Sequence, residues 1–126
     1  MPSRRSLNYK ILLFLAPLLL LTGIVGFLLP GQFSVSTEPA YNVFHIVFGV
    51  IGLLLVIFRY ENPVRVFNIS FGLIDIYQAI ASFYDIFPAQ YLKWTPTDDA
   101  LHLVIGIFLL FAGLGGFFPL RRLNAH

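Results

Sequence analysis

The chain has 126 residues, 58% of them hydrophobic and 11% charged, with a formal charge of +2 and no cysteine. A soluble domain carries about 25% charged residues, so this composition excludes an ordinary soluble fold, and its mean hydropathy of +0.83 agrees. The charge is too small for a nucleic-acid footprint, and without thiols there is no disulfide, thiolate metal site or cysteine nucleophile.

In chain order, Met1–Lys10 is a short polar tail with Arg4, Arg5 and Lys10. Residues 11–29 form the first apolar run, about the length a bilayer-spanning helix needs. The run is too long for the apolar region of a signal peptide and no Ala-x-Ala site follows it, so a retained helix is expected. Pro17 should kink it, and Gly23 and Gly26 give another backbone room to approach. A turn-rich loop, Pro30–Pro39, leads to a second helix over 40–58 with Gly49 and Gly52 as close-packing positions. Arg59–Arg65 is read as a polar turn in which Pro63 forbids helix. A third helix over 66–83 is less apolar than its neighbours. Tyr84–Trp94 is an interfacial loop whose Tyr84, Phe87, Tyr91 and Trp94 suit the headgroup level. Thr95-Pro96-Thr97-Asp98 then opens the fourth helix, over 96–120: threonine at the N-cap, proline at the first helical position and a carboxylate at the third.

The second and fourth helices are copies of one pattern. His45 and His102 are 57 positions apart, and the same shift carries Pro39 onto Pro96, Asn42 onto Asp99 and Gly49 onto Gly106. Both helices thus read Asn/Asp-x-x-His-x-x-x-Gly near their start. The expected fold is all-α, a four-helix transmembrane bundle forming one domain over 1–126. Helix pairs 1–2 and 3–4 would be two parallel repeats about an axis along the membrane normal. Arg4, Arg5, Lys10, Arg59, Arg65, Arg121 and Arg122 fall on one side and Lys93 on the other. By the positive-inside rule both termini are expected in the cytoplasm.

Three stretches in this order, Gly23-Ile-Val-Gly-Phe-Leu-Leu-Pro-Gly31, Asn42-Val-Phe-His45 with Gly49, and Asp99-Ala-Leu-His102 with Gly106, resemble a bacterial domain-of-unknown-function family of small four-helix integral membrane proteins. The resemblance spans nearly the whole chain. It implies the architecture and a bacterial inner, or thylakoid-type, membrane, but no reaction. The chain departs from the family's mostly apolar third helix by carrying Asp75 and Gln78.

Those two residues are candidate site residues. Asn68, Gly72, Asp75, Ala79 and Ser82 share one helix face, with Gln78 beside it. A carboxylate at this depth costs roughly 2.5–3.5 kcal/mol on insertion scales, so it should face the bundle interior. It is either a proton- or ion-handling group or one end of a hydrogen bond to Gln78, a tyrosine or a carbonyl. In the second case, leucine in its place should strand those partners. His45 and His102 lie about one turn inside their helices, with Ser82 near their level and Asp75 expected about 10 Å deeper. Each imidazole could bond the Asn42 or Asp99 side chain, ligate a pigment or haem, or serve catalysis or transport. The firmest expectation is an inward, hydrogen-bonded His102. Two histidines and scattered carboxylates make no convincing site for a free metal ion. No phosphate loop or Ser-His arrangement is present. The sequence therefore points to a non-enzymatic accessory or assembly component packed against other membrane proteins. The alternatives are a cofactor-binding subunit of a bioenergetic or photosynthetic complex and a small transporter. The identity of any cofactor is left open, nucleic acid is not an expected partner, and a small-molecule substrate is not anticipated.

Overall fold

In the computed structural model, which describes residues 7–115, the apolar runs become four long helices: α1 (Leu7–Leu28), α2 (Pro39–Ile57), α3 (Glu61–Tyr84) and, after a one-turn α4 (Ala89–Leu92), α5 (Pro96–Gly113). Each long helix is long and apolar enough to cross a membrane. Phe14, Phe83, Val104 and Phe111 are about two thirds or more exposed; such a surface suits hydrocarbon, not water. The protein is an all-α transmembrane four-helix bundle. α1 begins at Leu7, four residues before the expected start, and α5 ends at Gly113 with Leu114 as its C-cap, short of the expected 120; Arg4, Arg5, Arg121 and Arg122 lie outside the described residues.

Local chemistry sets the helix ends. The first helix continues through Pro17, as membrane helices tolerate. α2 closes in a Schellman motif: Tyr60 N–H donates to Leu55 O and Arg59 N–H to Val56 O, with Arg59 in the left-handed conformation at φ 59°. α3 begins at once, at Glu61, so the expected polar turn over 59–65 is shortened to a few residues. Pro63 falls in the first helical turn, where its missing N–H would have had no helical partner anyway. Thr95 caps α5 as the sequence implied. Its Oγ1 accepts from the Asp98 N–H at 3.2 Å, and the Asp98 carboxylate accepts from the Thr95 N–H at 2.9 Å.

The helices pair as two antiparallel hairpins, α1 with α2 and α3 with α5, which meet less closely. Glycine makes each pairing possible. A Cβ on Gly49 would sit 2.6 Å from Leu20 N, and one on Gly106 would sit 2.9 Å from Gly72 O. Between the hairpins, toward the 58–60 turn, lies the apolar core. Leu12, Leu15, Ala16 and Leu19 of α1 pack with Val56, Val64 and Leu109. A cluster of rings continues it, with Phe71 centred 5.3 Å from Phe48 and 5.4 Å from Phe67. At the other end, called the loop end here, the packing is interrupted by polar groups.

Candidate functional site

At the loop end Asp98 is 1% exposed, and its carboxylate accepts three hydrogen bonds. Besides the Thr95 N–H, Ser36 N–H donates at 2.8 Å and Tyr41 OH at 2.7 Å, with the Thr95 hydroxyl 3.1 Å away. Ser36 Oγ in turn donates to Leu92 O, and Thr95 Oγ1 lies 2.7 Å from Ser34 O. One carboxylate thus joins the loop of the first hairpin, the start of α2 and the start of α5. Charge-assisted bonds of this kind are the stronger class. The capping role of Asp98 is visible in the sequence. Its bonds to Ser36 and Tyr41 cross about 60 residues of chain and carry no local signal.

Below this junction is a cavity of about 450 Å³. α1 supplies one wall through Leu15, Leu18, Leu19 and Val25, and α5 the facing wall through Leu101 and Ile105; Phe71 bounds it on the α3 side. Tyr41, His45, Asp75, Asp98 and His102 are the polar lining deeper in. Leu18, Leu21 and Leu101 are more than 40% exposed, so the cavity reaches the surface between α1 and α5, and the exposed Leu29 and Phe33 of the following loop line it at the loop end.

The two histidines meet at this cavity, both buried and both facing inward. Their bonding reverses the expectation. His45 Nδ1 lies 2.8 Å from Tyr41 O; a carbonyl only accepts, so Nδ1 carries the proton and donates. In the neutral ring, Nε2 is then a bare acceptor. His102, expected to be the better anchored, has no hydrogen bond among the described residues, and its Nδ1 is sealed in the protein. Its ring stands edge-on to Trp94, centroids 5.7 Å apart.

Asn42 and Asp99 do not orient the histidines. Asn42 packs against Gly26 of α1, with its Oδ1 buried and unpaired. Asp99 accepts from Ser82 Oγ at 2.9 Å, a pin between α3 and α5 that lies outside the cavity. Each stands three residues before its histidine, about one helical turn, but these side chains point at the partner helix within their own hairpin, whereas the histidines point between the hairpins.

Asp75 is 3% exposed, yet it bonds neither Gln78 nor a tyrosine nor a carbonyl among the described residues, contrary to expectation. It packs beside Gly106, one turn or roughly 6 Å deeper than His102, not 10 Å. The helix pairing sets this register; counting from helix ends does not. It therefore shares the cavity with both histidines. Gln78 is buried with its Oε1 unpaired and does not line the cavity. Among the described residues no group of three or more metal-ligating side chains converges.

No family model, curated protein or solved structure matches the chain.

Proposed function

We propose that this protein is a non-enzymatic accessory component of a bacterial inner membrane, with both termini cytoplasmic, that holds a lipophilic molecule between its two hairpins. The observation that carries the reading is the cavity between the hairpins with three buried polar side chains on its wall: His102 and Asp75, which have no hydrogen bond among the described residues, and His45, whose Nε2 is free. Its volume is within the range of small-molecule sites, which are mostly apolar with a few placed polar groups. Polar groups in hydrocarbon are costly when unpaired, so His45, His102 and Asp75 at an opening to lipid suit a ligand that arrives from the bilayer. The family resemblance supports the bacterial membrane setting, and Lys10, Arg59 and Arg65 gather at the end opposite Lys93, in keeping with the orientation.

The test is to purify the chain gently from its native membrane and identify co-purifying lipophiles by mass spectrometry. A Leu101→Trp variant, which fills the cavity mouth, serves as the comparison. A compound enriched over the bulk lipid in the natural chain and lost from the variant is expected. Identical extracts from both would overturn the reading. His45 favours one second reading: a ring held at Nδ1 with Nε2 free is what an axial ligand to a metallocofactor needs. An absorption spectrum of the same preparation distinguishes it, since a porphyrin-type pigment would colour the protein.

A further inference from the structure

Apart from the amide of the exposed Gln32 in the loop after α1, the cavity wall is short of hydrogen-bond donors. Its hydroxyl groups are already committed: Tyr41 OH donates to Asp98, Ser36 Oγ to Leu92 O and Thr22 Oγ1 to Leu18 O. What is left uncommitted deep in the cavity is mostly acceptor. His45 offers Nε2 without a proton, Asp75 offers carboxyl oxygens, and His102 offers one donor and one acceptor nitrogen. Charge points the same way. Two carboxyl groups, Asp75 and Asp98, line the cavity and no lysine or arginine does. Three donors already hold Asp98, so it asks nothing of a ligand.

Building on the lipophile-binding reading, we infer that the occupant is an uncharged lipid-soluble phenol or quinol whose hydroxyl donates its one proton to His45 Nε2, beside Asp75. An anionic headgroup, a fatty carboxylate or a phosphate, would meet two acids and no cation. A headgroup that only accepts would leave the His45 acceptor buried and unpaired. The aromatic ring is favoured over an aliphatic alcohol by the flat side chains around the polar groups: Tyr41, His45, Phe71 and His102. An apolar tail leaves through the slit beside Leu18, Leu21 and Leu101.

Trp94 is the sole tryptophan and packs against His102, so its fluorescence reports on the site. The full chain in lipid nanodiscs is titrated with para-decylphenol, with its methyl ether para-decylanisole, with decanol and with para-decylbenzoate. The phenol is expected to bind saturably and at least about tenfold more tightly than the ether, the loss that follows from stranding a buried acceptor. The benzoate should not displace it, and decanol should bind more weakly. His45→Phe should bring the phenol down to the ether's affinity and leave the ether's unchanged. The wild-type comparison stands even if that variant does not fold. Equal binding of phenol and ether, or tight benzoate binding, overturns the donor assignment while the lipophile reading survives. Decanol equal to the phenol overturns the aromatic part. Saturable binding of none of the probes removes the lipophile reading itself.

Discussion

Asp98 closes the α5 capping box and also holds the loop of the other hairpin, so its loss should be felt at both places. Removing an N-cap interaction costs about 0.5–2 kcal/mol, and stranding a buried donor about 1–3 kcal/mol. Asp98→Ala leaves Ser36 N–H and Tyr41 OH without their acceptor, and a loss of about 3 kcal/mol or more is expected in denaturant unfolding in detergent. Asp98→Asn should recover only part of this, because its amide nitrogen would face donors. Asp75 makes the opposite case. With no hydrogen-bond partner among the described residues to strand, Asp75→Asn and Asp75→Leu should both leave stability within about 1 kcal/mol of wild type. That reverses the expectation drawn from the sequence, in which leucine was the costly choice. A large loss for leucine alone would show that the carboxyl is bonded after all.

Each hairpin is held by helices that approach until backbone meets backbone, and the glycines differ in what they face. A Cβ at Gly49 would meet Leu20 N and Cα, which can yield only by moving the helix. At Gly52 the nearest atoms are the Ala16 Cβ at 2.9 Å and the end of the Leu12 side chain at 3.1 Å, which can turn aside in part. Overpacking of this kind costs about 1–3 kcal/mol. Gly49→Ala is expected near the top of that range and Gly52→Ala near the bottom, measured side by side by thermal unfolding. Equal losses would mean that the pairing of α1 with α2 is looser than the contacts describe. Pro63 teaches a related point about elements. A proline stops a helix only where its N–H would have been used, and in the first turn it is not.

For the whole molecule, two hairpins of the same construction lean together at an aromatic core and part toward the loop end, and the cavity is the space between them. Of the three polar pins at that end, the one around Asp98 forms part of the cavity wall, whereas the Ser82–Asp99 bond and the 3.9 Å ion pair of Lys93 with Glu38 lie outside it. The orientation in the membrane can be checked because the chain has no cysteine. Single cysteines at the exposed Gln32 and Gln90, in the loop-end segments, should react with an impermeant thiol reagent on intact cells. A cysteine at Tyr60, in the α2–α3 turn, should not. The reverse pattern would invert the topology and place the cavity in the cytoplasmic leaflet.

Much of this was legible without coordinates, for a physical reason. In a bilayer every backbone group must be satisfied within its own helix, so length and hydropathy alone located α1, α2, α3 and α5. The capping box at Thr95 and the close-packing glycines are also local signals. Of the candidate residues, the sequence singled out His45, His102 and Asp75, because a polar side chain inside an apolar run is conspicuous. It could not say which neighbours they have. Helical periodicity gives a residue's face, but not whether that face meets the partner in its own hairpin, as for Asn42, Asp99 and Ser82, or the gap between hairpins. Tyr41 and Ser36 passed unnoticed, since a tyrosine and a serine near helix ends are ordinary there. Only the tertiary arrangement brought them to Asp98, set Asp75 one turn from His102, and left three polar groups around an opening to lipid. Packing between helices fixes those distances, and no interval along the chain encodes it.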